Sequence, residues 1–423
     1  MTAALLLLGM VLLLLLLRQP LVVVLLAVAA FVHIAWGRGR LDYILEDMWV
    51  ALDKELILSI PLFILCGGVM TMGSTARRLI RIMAALTCSL RGGLAVSAIL
   101  SCGIFAAISG SSLVTMLAIG TVMYPAMRAA GYENRYALGT IMSGGTLGII
   151  IPPSIPMILY GLVTEASVVD MFLAGIGPGI LLLIVFSIYA VWKNRHLPST
   201  PFDSAELRIA LRQGVWAVLL PVILLGGIYS GYFTVTEAAA VALLYALVIE
   251  ICVHKEMKLR DFYQVVLEQS KLGGSLFPVL AVALSLNIVL IEHRVPSHMV
   301  EYIQGYITSP LMFMLLVNLL LLLVGCLMTT GEAILILAPL LMPIGEAFGY
   351  DKIVFGIIMI LNLEIGFLTP PVGLNLVVAM SAFKQPFGLL VNSAVPYIVL
   401  MLACLAVIVW QPWIAMYLVN GKF

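Results

Sequence analysis

Four polar interruptions of apolar sequence carry the chemistry of this chain. Ser109-Gly110-Ser111-Ser112 and Met328-Thr329-Thr330-Gly331-Glu332 each lie in the middle of a hydrophobic run. Gly144-Gly145-Thr146 with Pro152-Pro153, and Gly366 with Thr369-Pro370-Pro371, break two others. Small hydroxyl residues let backbone N–H and C=O groups face a cavity. A proline removes the N–H that the carbonyl four residues earlier needs. Half-helix N-termini carry partial positive charge and suit a substrate carboxylate. Unwound carbonyls and hydroxyls suit a hard cation such as sodium. Candidate substrate contacts are therefore Ser109, Gly110, Ser111, Ser112, Pro152, Pro153, Thr329, Thr330 and Asn375. Candidate sodium ligands are Ser109, Gly145, Thr146, Gly331, Glu332, Gly366 and Thr369. Glu332 and Glu364 are further candidates, because carboxylates inside a membrane are costly and mark function. For Glu364 the alternative is a structural hydrogen bond to a neighbouring helix, and Asn362 and Asn375 could serve either purpose. Glu237, near the end of a crossing, could simply be solvated.

Other chemistries are excluded by what surrounds these residues. The chain has 423 residues, 63% hydrophobic and 10% charged, whereas a soluble domain carries about 25% charged residues. It is a membrane protein, and its net charge of +1 gives no case for a nucleic-acid partner. The serines at 109–112 lack a base: the only histidine on an apolar stretch is His33, far away in sequence, so an intramembrane serine hydrolase is set aside. No G-x-x-x-x-G-K-[ST] occurs, so ATP hydrolysis by a P-loop is excluded. The five histidines have no metal-ligand spacing, and the six cysteines, with no C-x-x-C, read as buried small hydrophobes. The chain reads as a transporter subunit and not an enzyme.

The elements that position these residues come in two copies. An ungapped offset of 218 residues carries Pro152-Pro153 to Pro370-Pro371, Pro125 to Pro343, Gly131-Tyr132 to Gly349-Tyr350, Gly148 to Gly366 and Pro178 to Pro396. Broken helices are predicted over 135–162 and 353–381. The segments 94–127 and 310–343 are each about 50 Å long as one helix, too long for one crossing and too short for two with a loop. Each is predicted as a re-entrant hairpin with its polar tip in the middle. Crossings are expected at 56–72, 171–192, 214–232, 236–253, 272–291 and 388–410, with surface helices at 41–52 and 255–270. Residues 3–17 and 20–36, split by Arg18-Gln19-Pro20, read as two short crossings or one broken long one, two being preferred, the first retained as a membrane segment with its start outside. The expected division is 1–92, N-terminal scaffold helices and surface arms; 93–192, first repeat; 193–309, connector and scaffold; 310–423, second repeat and last crossing. The fold class is an all-α polytopic membrane protein with inverted repeats, two re-entrant hairpins and two broken transmembrane helices.

Orientation follows from the positive-inside rule. On this segment count Arg38, Arg40, Lys54, Arg294, Lys352 and Lys422 face one side and the remaining sixteen of the 22 Lys and Arg face the other. The richer side should be cytoplasmic. Five crossings separate Tyr132 from Tyr350, an odd number, so the two repeats point in opposite directions.

These motifs resemble the large membrane subunit of tripartite ATP-independent periplasmic (TRAP) transporters, the DctM-like family, over nearly the whole chain. The most specific pieces are Gly110-Ser111-Ser112, Gly131-Tyr132-Glu133, Ile150-Ile151-Pro152-Pro153-Ser154-Ile155-Pro156, Asn362-Leu363-Glu364-Ile365-Gly366, and Thr369-Pro370-Pro371-Val372-Gly373-Leu374-Asn375. The resemblance implies a sodium-coupled importer of organic acids, C4-dicarboxylates or related carboxylates, in a bacterial inner membrane. It implies a small four-helix DctQ-like membrane subunit and a periplasmic substrate-binding protein as partners, the lipid bilayer as solvent, and elevator motion of hairpins and broken helices against a scaffold. Thr329-Thr330 stand where many relatives carry an acidic residue. The alternative from another class is an uncoupled gated channel or a structural membrane subunit.

Overall fold

The computed structural model describes residues 2–17, 19–35 and 42–421. Arg18, Arg38, Arg40 and Lys422 of the charge tally, Leu41 of the predicted surface helix and Trp36 at the end of a predicted crossing lie outside them. The described residues form helices and no strand. In chain order they are α1 (Thr2–Leu16), α2 (Leu21–Ala35), α3 (Asp42–Leu52), α4 (Ser59–Met72) entered by a 3-10 turn at Glu55–Leu58, α5 (Thr75–Thr87), α6 (Gly93–Ser109), α7 (Ser112–Ala129), α8 (Asn134–Ile150), α9 (Ile155–Thr164) and α10 (Val168–Lys193). There follow α11 (Ser204–Tyr229), α12 (Val235–Leu247) continued by a π-helical stretch Val248–Val253, α13 (Leu259–Glu292), α14 (Val295–Tyr306), α15 (Pro310–Gly325), α16 (Thr330–Ala347), α17 (Lys352–Phe367), α18 (Leu374–Phe383), α19 (Phe387–Trp410) and α20 (Trp413–Asn420). Among the described residues nine helical stretches are long and apolar enough to cross a membrane, or ten if α14 and α15, bent by 118°, count as one.

The offset of 218 residues carries α7 onto α16 and the N-cap Ser111 onto Thr329. It carries α6, α8, α9 and α10 onto α15, α17, α18 and α19 to within two residues at each end. Gly131 and Gly349, equivalent under it, turn the chain with φ +86° and +87°, a region that glycine enters without steric cost. Packing repeats as well. Each hairpin embraces its own broken helix, α6 and α7 on α8, α15 and α16 on α17. Each broken helix then reaches across: α9 packs on α16 and α18 on α7, while α19 lies on α8 and α10 on α17. Such reciprocal contacts are what an internal two-fold relation produces.

Around this core, α4 packs on α12 and α13, and α11 on α5 and α12. Two short amphipathic helices join core to surround. In α5, Ala76, Leu79, Ile80 and Met83 recur at helical spacing and are buried, while Arg77 and Arg81 point outward. Its N-terminus is held by Glu250, wholly buried on the π-helical stretch. The Glu250 carboxylate accepts from the backbone N–H groups of Ser74 and Thr75, each at 3.2 Å, and from the Thr75 hydroxyl. A carboxylate at a helix N-terminus matches the orphan donors and the dipole there. At the other end, α14 plays the same connecting part before the second hairpin.

Three expectations are corrected. The stretch between the expected crossings 171–192 and 214–232 is non-helical only over 194–203, because Asp203 caps α11 and starts the helix well before the apolar stretch. The predicted surface helix 255–270 and crossing 272–291 are one 34-residue helix, α13, since Gly273-Gly274 are tolerated inside it. Helices α5, α14 and α20 add to the predicted set.

Gly148 and Gly366, an equivalent pair, are where each broken helix meets its hairpin tip. A Cβ on Gly148 would lie 2.4 Å from the Ser111 carbonyl oxygen, and one on Gly366 would lie 2.4 Å from the Gly325 carbonyl carbon. Both neighbours are backbone and cannot turn aside. Gly148→Ala is expected to cost about 1–3 kcal/mol by overpacking, read as a lower midpoint of thermal unfolding in detergent. Gly226→Ala, where nothing lies within 4 Å of the added carbon, serves as the control and should unfold as the wild type does.

Candidate functional site

The first tip is shaped by Gly110 at φ +58° and by Ser111, extended at φ −141°, which opens α7. It closes onto the first break: Ile155 N–H donates to the Gly110 carbonyl at 3.4 Å. Pro153 has no N–H for the Ile149 carbonyl, and the Ser154 hydroxyl supplies the missing donor at 2.6 Å. Oxygens gather where this tip meets α8. The Ser109 and Thr115 hydroxyls are 2.6 Å apart. A Cβ on Gly148 would meet both the Ser111 carbonyl oxygen and the Thr115 hydroxyl, at 2.4 and 2.7 Å, and one on Gly145 would lie 3.1 Å from the Ser112 carbonyl. Two glycines thus let α8 pack closely against these carbonyl and hydroxyl oxygens.

The second tip closes onto the second break in the same manner, with Gly373 N–H donating to the Cys326 carbonyl at 3.1 Å. Pro370 cannot serve the Gly366 carbonyl, which takes the Thr369 N–H at 2.9 Å and tightens the last turn. Pro371 leaves the Phe367 carbonyl without its helical donor. That oxygen and the Thr369 carbonyl oxygen both lie 3.0 Å from where a Cβ of Gly373 would stand. The Thr369 hydroxyl donates to the Ile365 carbonyl at 2.8 Å, which leaves its lone pairs free to accept.

The two units touch at Ser112 and Asn375. Asn375 Nδ2 donates to Ser112 Oγ at 2.8 Å, so a residue beyond the second break is bonded to the first tip. Glu364 faces this pair. It is fully buried, and neither carboxylate oxygen has a hydrogen-bond partner. A structural bond to a neighbouring helix, the alternative reading of Glu364, is made by Asn362, whose Nδ2 donates to Asn318 Oδ1.

Other candidates fall elsewhere. The Thr146 hydroxyl donates to the Ser143 carbonyl of its own helix at 2.6 Å and lies against Met401, not toward the tip. Gly331 faces the side chains of Leu159 and Leu276, an apolar setting. Glu332 and Thr329 form a reciprocal cap, Glu332 Oε2 accepting from Thr329 N–H at 3.1 Å and Thr329 Oγ1 from Glu332 N–H at 3.3 Å. The spacing Thr329-x-x-Glu332 carries that signal in the sequence. Thr330 is buried with an unpartnered hydroxyl. Thr115 and Asn318 were not among the predicted site residues, since each lies in a helix with no local break.

The two breaks differ in exposure. Pro152 and Pro153 are buried, whereas Pro370 and Pro371 are exposed. A cavity of about 390 Å³ opens beside the second tip, lined by Thr329, Glu332, Val372 and Leu374 with Gln19 on its far wall. Among the described residues no three His, Cys, Asp or Glu side chains group as a metal site.

Comparison with known proteins follows this geometry. The family profile described as the tripartite ATP-independent periplasmic transporter, DctM component, matches residues 8–414. The C4-dicarboxylate TRAP transporter large permease protein DctM of Pseudomonas aeruginosa is 41% identical over 371 residues, 87% of each chain. The ectoine/5-hydroxyectoine TRAP transporter large permease protein UehC of Ruegeria pomeroyi is 34% identical over 94% of each chain. The crystal structure of the Alcanivorax borkumensis YdaH transporter shares the fold, with a TM-score of 0.65 at 14% identity over 92% of this chain and 90% of that one. The chain belongs to the DctM family of tripartite ATP-independent periplasmic transporters and is a multi-pass protein of the inner membrane.

Proposed function

We propose that this chain is the permease subunit of a sodium-coupled importer of small organic acids, C4-dicarboxylates or related carboxylates. The observation that carries this reading is the crowding of carbonyl and hydroxyl oxygens at each tip–break junction, where Gly148 lets α8 approach the Ser111 carbonyl and Thr115 hydroxyl and Gly373 lies against the Phe367 and Thr369 carbonyls. Backbone carbonyls without intrahelical donors are costly in lipid, and a sodium ion satisfies several together. Ser109, Ser111, Ser112 and Thr115 would supply the first site, and Phe367 and Thr369 the second. The N-termini of α7, α9, α16 and α18 direct partial positive charge toward the breaks and would hold the substrate carboxylate near Ser112, Asn375 and the cavity at Thr329. Cargo class follows in part from relatives whose names give C4-dicarboxylate and ectoine as substrates.

In this reading 93–192 and 310–423 form one body that moves as an elevator against 1–92 and 193–309, with α5 and α14 as the connecting arms. Burial of the first break and exposure of the second are those of a single end state. A small DctQ-like subunit would cover the exposed apolar side chains Leu45 and Trp49 of α3, which are 71% and 78% exposed. A periplasmic binding protein would deliver the acid.

Two experiments test this. Uptake is measured in proteoliposomes against sodium concentration, with purified partner proteins. Thr369→Val is expected to raise the sodium half-saturation on the order of tenfold, equivalent to about 1.4 kcal/mol, at wild-type expression, and Thr369→Ser should restore it. An unaltered sodium curve in Thr369→Val would remove this hydroxyl from the ligand set. Wild-type uptake with no sodium on either side would leave an uncoupled channel as the reading. For the inverted repeat, single cysteines at Tyr132 and Tyr350 in a cysteine-free background are expected to label from opposite sides of the membrane. Labelling of both by an impermeant reagent outside intact cells would exclude inversion.

A further inference from the structure

A cavity of about 640 Å³ lies between the core and its surround, away from both tips. Its walls are the ends of α3, α9, α13 and α16 and the starts of α14 and α17. The segment count puts all six of these helix ends on the side poor in Lys and Arg, the outer side. Lys54, Arg294 and Lys352 line this one cavity, and they are the whole of the described outer-side Lys and Arg. A face with so few cations has placed them together. Glu165 is the one carboxylate among the lining residues. Lys352 Nζ donates to the Thr164 carbonyl at 3.1 Å, which ties that cation to the end of α9. Asn287 on the wall donates to the Val163 carbonyl at 3.4 Å, and its own amide oxygen is buried without a partner. A buried acceptor left unmet is costly, and a hydroxyl or water entering with a ligand satisfies it.

We propose that this cavity is an anion vestibule, a binding site on the outer face that holds a small carboxylate before it reaches the tips. The inference rests on the import reading above and adds to it where the acid is first held. Cations in a cleft with low-dielectric walls focus the field and raise the local concentration of an anion. Lys54 and Arg294 come from the surround, while Lys352 comes from the repeat core. Relative motion of the two bodies therefore separates the three charges, and the anion is released when it is to move on.

The test uses Ser297→Cys, a lining position on α14, in the otherwise cysteine-free full chain, assembled with its partners in right-side-out vesicles. Impermeant thiol reagents of matched size, one anionic and one cationic, are applied outside. The anionic reagent is expected to react about tenfold faster relative to the cationic one than it does after Lys54→Gln and Arg294→Gln are added. Millimolar succinate should slow labelling, uncharged succinamide should not, and protection by succinate should vanish in the triple variant. Both charged positions are exposed, and a wild-type elution profile would exclude misfolding. Absence of succinate protection, or protection that survives removal of both charges, overturns the vestibule. Sodium-driven uptake by the same vesicles is measured in parallel: if it persists while protection is absent, the vestibule alone fails, and if wild-type uptake needs no sodium, the coupled-import reading fails.

Discussion

A carbonyl oxygen in hydrocarbon must have a donor, and a proline four residues later removes it. The placement of helices in this protein answers that constraint twice. At the first break the Ser154 hydroxyl takes over the Ile149 carbonyl. At the second, a tightened turn lets Thr369 N–H serve Gly366. Neither local repair is sufficient alone, and each hairpin tip brings a further backbone bond, Gly110 to Ile155 and Cys326 to Gly373. Tip and break are therefore one unit: a carbonyl of each tip accepts an N–H from the chain just beyond each pair of prolines.

Close approach of tip to break needs Gly148 and Gly366, and reciprocal packing of α9 on α16 and α18 on α7 needs both copies. The two halves have nevertheless diverged in chemistry. The first junction concentrates hydroxyls, at Ser109, Ser111, Ser112 and Thr115. The second relies on backbone oxygens with Thr369, and it places its carboxylate, Glu332, in a helix cap. Glu364 breaks the symmetry further as a buried carboxylate facing the Ser112–Asn375 link between the halves.

Much of this was legible because prolines and glycines act locally. The breaks at Pro152-Pro153 and Pro370-Pro371 need only the rule that a proline cannot donate, and the tips at Ser109–Ser112 and Met328–Glu332 need only the length of each apolar run and the polar residues at its middle. Boundaries set by polarity were less legible. Arg208 and Arg212 read as loop, yet they lie in the first turns of α11 beyond its apolar stretch. Arg77, Arg78 and Arg81 concealed α5, whose stripe at Ala76, Leu79, Ile80 and Met83 is the true signal. Thr329-x-x-Glu332 was readable as a cap, but the carboxylate drew attention as a ligand. Contacts across the chain were not legible at all: Glu250 on Ser74 and Thr75, Asn318 on Asn362, and Asn375 on Ser112 join residues whose pairing no local spacing announces.

The arms give the proposed cycle its mechanical logic. A rigid body can move through lipid only if its links to the surround bend without exposing backbone. Helix α5 meets this condition by lying with one apolar face buried and its arginines outward, so its own hydrogen bonds stay internal as it tilts. Its starting point cannot drift, because Glu250 clamps the first two N–H groups from a neighbouring helix, and Arg78, which donates to Ser74 Oγ at 2.9 Å and to Glu256 at 3.0 Å, ties the next turn to the same segment. The far end is tied as well, with Thr87 bonding the Gly93 carbonyl at 2.8 Å and Gly92 turning the chain at φ +72° into the hairpin, so that in the proposed cycle any tilt of α5 would carry the hairpin with it.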